Sequence, residues 1–161
     1  MKKLLVTVGA QMPFDRLIRA VDAWAAEHPE HRVLAQVGET DHRPAHTRWT
    51  KFLMPDDFDR EFDGADAIIG HAGIGTLFAA MQRGKPILVL PRESARRETR
   101  NDHQIATARA FEAYSGVIVA WTEDEVAAGL DRLLATDGST TLGDVASGPL
   151  VERIARFVDE A

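Results

Sequence analysis

Three glycines and a histidine fall together in Ile68-Ile69-Gly70-His71-Ala72-Gly73-Ile74-Gly75-Thr76-Leu77, where a short apolar run changes to helical spacing. Asp66-Ala67-Ile68-Ile69 suits a buried strand, whereas Ile74, Leu77, Phe78 and Met81 recur with the period of a helix. Gly70, Gly73 and Gly75 allow a sharp turn and a close approach of the backbone to a ligand. The first amides of the helix have no intrahelical acceptor, and together with the helix dipole they favour an anion such as a phosphate. His71, at the strand's end, can donate a charge-assisted hydrogen bond to a phosphate oxygen, worth roughly 1.5–3 kcal/mol. It can equally serve only to cap the helix. Known nucleotide motifs do not fit. The dinucleotide fingerprint needs glycine where Phe78 stands, a Walker loop needs lysine where Gly75 stands, and a nucleophile elbow needs serine where Gly73 stands.

A second constellation is Asp102-His103-Gln104. A carboxylate and an amide together can accept from and donate to vicinal hydroxyls such as those of a sugar, while Asp102 alone would suit a helix N-cap. The loop between Arg92 and Asn101 carries Arg92, Arg96, Arg97 and Arg100 against Glu93 and Glu98, charges that solvation alone can explain. His42 and His46 lack a third metal ligand nearby in sequence. Asp56 and Asp57 open a helix after Pro55, and adjacent helical positions diverge, so capping is preferred to metal binding.

These loops need a scaffold, and the apolar pattern supplies one. Lys3 to Val8, Arg32 to Val37, Trp49 to Leu53, the run ending at His71, Ile87 to Leu90 and Gly116 to Trp121 read as strands. Between them lie helical segments that begin near Asp15, Pro55, Ile74, Asp102 and Thr122, with Asp15 and Thr122 read as N-caps. A further helix is expected over 149–160, beyond a core of 1–135 and a connector from Asp137 to Gly148. The alternation predicts a single α/β domain, a doubly wound parallel sheet of six strands in a Rossmann-like 3-2-1-4-5-6 order. In such a sheet ligands sit at the carboxyl ends of the strands, which puts the glycine turn, Gly9 to Gln11 and the loop after Pro91 on one rim.

Composition narrows the partners. The chain has 161 residues with 45% hydrophobic content, enough for one well-buried domain. A net charge of −6 argues against a general nucleic-acid surface. Cysteine is absent, which excludes disulfides and thiolate chemistry. Met1-Lys2-Lys3 precedes an apolar run that breaks at Thr7, better read as a first strand than a signal peptide, and no run approaches the roughly 20 residues needed to span a bilayer.

Taken together, several segments resemble the C-terminal domain of family 28 glycosyltransferases over residues 4 to 135. They are Val6-Thr7-Val8-Gly9 with Phe14-Asp15-Arg16-Leu17-Ile18, Gln36-Val37-Gly38, His71-Ala72-Gly73-Ile74-Gly75-Thr76, Gly84-Lys85-Pro86 and Asn101-Asp102-His103-Gln104. Within that family the chain is most similar to stand-alone catalytic subunits of bacterial exopolysaccharide glycosyltransferases. These are relatives of the catalytic half of the eukaryotic dolichol-linked N-acetylglucosaminyltransferase.

The resemblance implies the C-terminal half of a GT-B enzyme, an inverting subunit that uses a UDP-sugar, glucuronic acid or galactose being favoured. On that expectation His71 and the turn residues Gly73, Ile74, Gly75 and Thr76 hold the diphosphate. Gly9 and Gln11 approach it, Asp102 and Gln104 hold the sugar, and Gln36 and Arg100 complete the substrate-binding set. No cofactor or metal is expected. The acceptor is expected to be a lipid-linked saccharide at the cytoplasmic face of the inner membrane. A membrane-associated acceptor-binding subunit would bring the chain there and supply the catalytic base. In many members a glutamate three residues after the motif's threonine contacts the ribose, but here that place is Ala79. The departure keeps open a non-catalytic, nucleotide-sugar-binding or stabilising subunit.

Overall fold

The computed structural model describes residues 1–135. Strands and helices alternate as β1 (Lys3–Thr7), α1 (Asp15–Glu27), β2 (Arg32–Gln36), β3 (Arg48–Thr50), α2 (Pro55–Gly64), β4 (Ala67–His71), α3 (Ile74–Gln82), β5 (Ile87–Leu90), α4 (His103–Phe111), β6 (Val117–Val119) and α5 (Val126–Ala135). All six strands lie in one parallel sheet in the order β3-β2-β1-β4-β5-β6, as the sequence predicts. The helix expected over 149–160 and the connector before it fall outside the described residues.

The central strands are apolar at successive positions because both faces of the sheet are covered. Leu4, Val6 and Val8 pack on one face with Leu17, Ile18, Val21 and Trp24 of α1 and with Val126, Leu130 and Leu133 of α5. Leu5, Ile68, Ile87 and Val89 face the other way, against Phe62, Leu77, Met81 and Phe111 from α2, α3 and α4. The register pairs Thr7 with Gly70 and His71 with Leu90. The carboxyl ends of β1, β4 and β5 therefore finish side by side, and the loops that follow them share one rim.

Several local expectations are revised. The third strand is Arg48–Thr50 rather than 49–53, because β3 is an edge strand paired only with β2. Asp15 is not the N-cap of α1. Buried Phe14 takes that position, its carbonyl accepting from Leu17 and Ile18, while the Asp15 carboxylate accepts from Thr40 Oγ1 at 2.7 Å and ties the loop after β2 to α1. Asp102 stands at the N-cap of α4 but makes no capping bond, and Thr122 likewise precedes the 3-10 turn Glu123–Glu125 without one. Asp56 and Asp57 lie in the first turn of α2, where they complement the helix dipole, with Met54 at the N-cap.

Gly129 lets α5 lie close on β5, since a Cβ there would come within 2.5 Å of Cδ1 of fully buried Leu88. Gly129→Val should therefore destabilise the fold by about 1–3 kcal/mol through overpacking. Urea denaturation reads this as a lowered midpoint, and an unchanged midpoint would contradict the packing.

Candidate functional site

The last residue of β4, His71, projects its ring into the space between two loops. A Cβ on Gly9 would lie 2.9 Å from His71 Cε1, and a Cβ on Gly73 would overlap His71 Nε2. Both glycines are thus needed for room around the imidazole, which revises the expectation that Gly73 serves mainly a ligand's approach. Gly9 also adopts φ +78°, a region that L side chains rarely occupy. Gly75 differs from both. Nothing lies within 4 Å of its would-be Cβ, so the first turn of α3 presents open backbone there. The amides of that turn, at Ile74, Gly75 and Thr76, are the ones a helix leaves without intrahelical acceptors.

Burial, and then the charge of Arg92, push the His71 pKa down to about 4. The ring is therefore neutral at pH 7 and carries one N–H. The Thr7 carbonyl acts in the opposite sense, yet buried Nδ1 makes no bond of acceptable geometry. With its proton on Nε2, the neutral ring has a donor on the side facing α3. Nε2 lies over Gly73 at the start of α3. There the ring can donate to a phosphate oxygen beside the helix amides, the charge in that bond coming from the phosphate alone.

Buried polar residues fix the loop after β1. Thr7 Oγ1 donates to Gln36 Oε1 at 2.9 Å and accepts from the Gly9 amide at 3.3 Å, while Gln36 Nε2 donates to the carbonyls of Gly9 and Lys51, both at 3.1 Å. Gln36 is only 5% exposed, and both its donor hydrogens are spent on the scaffold. Its place in the site is thus to hold Gly9. On the other side, Arg92 is 4% exposed and donates to the carbonyls of Val8 (2.6 Å), Met12 (2.7 Å), Pro13 (2.8 Å) and Glu98 (3.1 Å). Sequence reasoning grouped Arg92 with solvated loop charges. Its position directly after Pro91, at the end of a buried strand, was the available signal.

A cavity of about 350 Å³ brings together Gly9, Gln11, His71 and Gln104 with Arg92 and Glu98. A neighbouring hollow of about 260 Å³ adds Gln36, Thr76, Phe52 and Phe58 on the other side of Gly9. Gln104 Oε1 accepts from the Arg92 amide at 3.1 Å, leaving its Nε2 donor for a ligand. Gly73, Ile74 and Gly75 form the turn between the two cavities' residues His71 and Thr76, and Ile74 also packs on the core. Asp102 and Arg100 are exposed and line neither cavity. Asp102 Oδ1 accepts from the Ser94 amide at 2.9 Å, and Ser94 holds the Asp102 carboxyl below its ordinary range.

Two larger hollows, about 740 and 790 Å³, lie along α1 and beside the 38–43 loop. The first is walled by ion pairs that satisfy one another, Arg16 and Arg96 each meeting Glu123 at 3.1 Å. Neither contains His71 or the glycine turn, so the rim is the better candidate.

This geometry can be set beside known proteins. The model of the glycosyltransferase family 28 C-terminal domain matches residues 3–139. The chain belongs to that family. A relative, the UDP-N-acetylglucosamine transferase subunit ALG13 of Mus musculus, is 31% identical over 120 residues. That match takes in 68% of this chain and only 10% of the relative, so the chain spans about a tenth of that protein. Among solved structures, the glycotransferase of kitacinnamycin matches with a TM-score of 0.66 at 19% identity, covering 97% of this chain and 38% of that one. The calicheamicin glycosyltransferase CalG4 matches with a TM-score of 0.62 at 16% identity, covering 99% and 44%. The family 28 domain thus has the fold of the C-terminal half of a GT-B glycosyltransferase.

Among the described residues, three metal-donor side chains gather at His28, Glu30 and His31, away from the rim. His31 Nδ1 accepts from the Lys2 amide at 3.1 Å, which leaves the proton on Nε2 facing Glu30 at 3.3 Å. A ring in that tautomer offers no lone pair to an ion.

His71 yields a pH prediction. Its pKa is about 4 in the folded family 28 domain against an ordinary 6.5, so between those values the unfolded chain binds more protons. Stability should fall as pH drops through that window, by up to about 3 kcal/mol, and His71→Gln should flatten the dependence. Denaturation at stepped pH, with the His71 Hε1 resonance followed by NMR, checks both. A ring titrating near 6.5 would contradict the half-buried, neutral imidazole.

Proposed function

We propose that the chain is the donor-binding catalytic subunit of an inverting glycosyltransferase, holding the diphosphate of a UDP-sugar at the turn between β4 and α3. The observation that carries the reading is the neutral ring of His71 beside the open amides at Gly75, in a chain of family 28. As the sugar's bond to the diphosphate breaks, negative charge grows on the departing oxygens. The His71 N–H and the amides of Ile74, Gly75 and Thr76 would meet it already oriented, the arrangement that lowers a barrier most effectively. The same donors replace the charge that a divalent ion would supply, so transfer should survive EDTA without added metal.

The acceptor hydroxyl must lose a proton, and the cavity offers no suitable base. His71, with a pKa about 4, is a weak base at neutral pH. Glu98, the cavity's carboxylate, is bound by Arg16 at 2.8 Å through both oxygens and by the Glu93 amide at 3.0 Å. A second, membrane-associated subunit that binds the lipid-linked saccharide and provides the base completes the proposal. The mouse relative's name, which calls it a subunit, supports this division. Among the described residues no helix is long and apolar enough to cross a membrane, consistent with recruitment to the cytoplasmic face through that partner.

The sugar is proposed from the resemblance as glucuronic acid or galactose, with exposed Arg97 and Arg100 near the rim available to a uronate. The mouse relative's name adds N-acetylglucosamine as the competitor. A non-catalytic nucleotide-sugar-binding subunit is the second reading. It is favoured by Ala79 of α3, which is partly buried against the apolar core on that face of the sheet and offers the ribose no polar group.

Calorimetry separates these readings. His71→Ala and Gly75→Val should each weaken UDP-sugar binding at least about tenfold without unfolding, the first removing a donor and the second covering the open amides. Unchanged affinity in both would sink the diphosphate site. Asp102→Ala and Gln104→Ala should reduce discrimination among UDP-glucuronate, UDP-galactose and UDP-N-acetylglucosamine while sparing UDP. Equal losses for UDP and its sugars would move both residues to the nucleotide. Sugar transfer to a lipid-linked acceptor should require the partner, and full turnover by the purified chain would defeat the two-subunit reading.

A further inference from the structure

We propose that Arg92 is a positioning residue of the diphosphate site, which sets the shape and potential of the cradle made by Gly9, Gln11 and His71 without itself touching the ligand. The proposal rests on the reading that this rim binds a nucleotide diphosphate. Arg92 joins its own loop and the start of α4 to the loop after β1, which lies 79 to 84 residues away in sequence. Its guanidinium takes the carbonyls of Val8, Met12 and Pro13 from the loop after β1 and that of Glu98 from its own loop, while its amide takes Gln104 Oε1 at the start of α4. The face of Phe14, its centroid 4.6 Å from the guanidinium carbon, supports the group from the α1 side.

The manner of burial is what points beyond stability. Every recorded acceptor of this guanidinium is a backbone carbonyl, and among the described residues no carboxylate pairs with it. Glu98, the carboxylate that acts on Arg92 at a distance, is itself committed to Arg16 and the Glu93 amide. An uncancelled buried charge is a poor device for holding a loop, since apolar residues of similar volume usually do so at least as well. Such a charge does supply a fixed positive potential beneath a loop that faces an anion. It also helps keep His71 neutral, with a single N–H to donate. Lysine cannot substitute. One ammonium presents three donors around a point, whereas four carbonyls in separate directions need the planar fork.

The test uses the full chain with Arg92→Lys and Arg92→Met, reading UDP affinity by calorimetry, the His71 ring titration by NMR and folding by thermal melt. Both variants should bind UDP at least about tenfold more weakly, the range expected when reacting groups lose their geometry. In Arg92→Met the His71 titration should rise above about 4 by the part that Arg92's charge contributes, burial still holding it below 6.5, whereas Arg92→Lys, which keeps the charge, should leave it low. A residue that only stabilised the fold would shift the melt and leave the ring's titration in place. A folded Arg92→Met chain with unmoved UDP affinity and unmoved His71 would overturn the proposal. If that variant does not fold, undiminished UDP affinity in Arg92→Lys overturns it instead. If the unaltered chain fails to bind UDP, the functional reading fails, and the His71 titrations still decide whether Arg92 acts on the cradle.

Discussion

The imidazole of His71 occupies a slot that exists because the residues on either side of it, Gly9 and Gly73, carry no side chain. That constraint reaches through the whole sheet. The slot requires the end of β4 to lie beside the end of β1, which the pairing of Thr7 with Gly70 provides. It requires the loop after β1 to keep a backbone conformation with φ +78° at Gly9, which the Thr7 and Gln36 side chains hold from below. The ring's low pKa is a further consequence, because a slot that closes around an imidazole also removes it from water.

Opposite demands meet on this rim. An anion site needs donors and positive potential, while a folded loop needs its own carbonyls satisfied. Arg92 meets both, its hydrogens going to the carbonyls and its charge remaining. The neighbouring charges are arranged differently. Arg16 is held by Glu98, Glu123 and Glu93, and Arg96 by Glu93 and Glu123, so both guanidiniums are committed to carboxylates and offer little to an anionic ligand. The proposed reading uses this imbalance: donors at the rim would meet the negative charge of a diphosphate, and the proposed second subunit would supply the base that the rim lacks.

Much of this was legible in the sequence where the signal is local. The change from strand to helix period at His71 located the turn, and apolar runs such as Ile87 to Leu90 gave buried parallel strands and the observed order. What local pattern could not carry was the identity of each polar side chain's partner. Asp15 reads as a cap but reaches Thr40, and Gln36 reads as a ligand residue but spends its amide on Gly9 and Lys51. Arg92 reads as one of four solvated arginines, yet its partners at Val8 and Pro13 lie 84 and 79 residues away. Gly73 reads as room for a phosphate and is room for a histidine. In each case the deciding contact is made across the rim, between loops that only the sheet order brings together.

The account's central claim is that a nucleotide diphosphate sits on the turn from His71 to Thr76. The most direct measurement is an amide chemical-shift map of the full chain titrated with UDP. Saturable shifts concentrated at Gly9, Gln11 and Gly73 to Thr76, with a matching shift of the His71 ring, are the expected result. Shifts confined to the α1 hollow around Arg19 and Trp24, with the glycine turn unmoved at saturation, would contradict it.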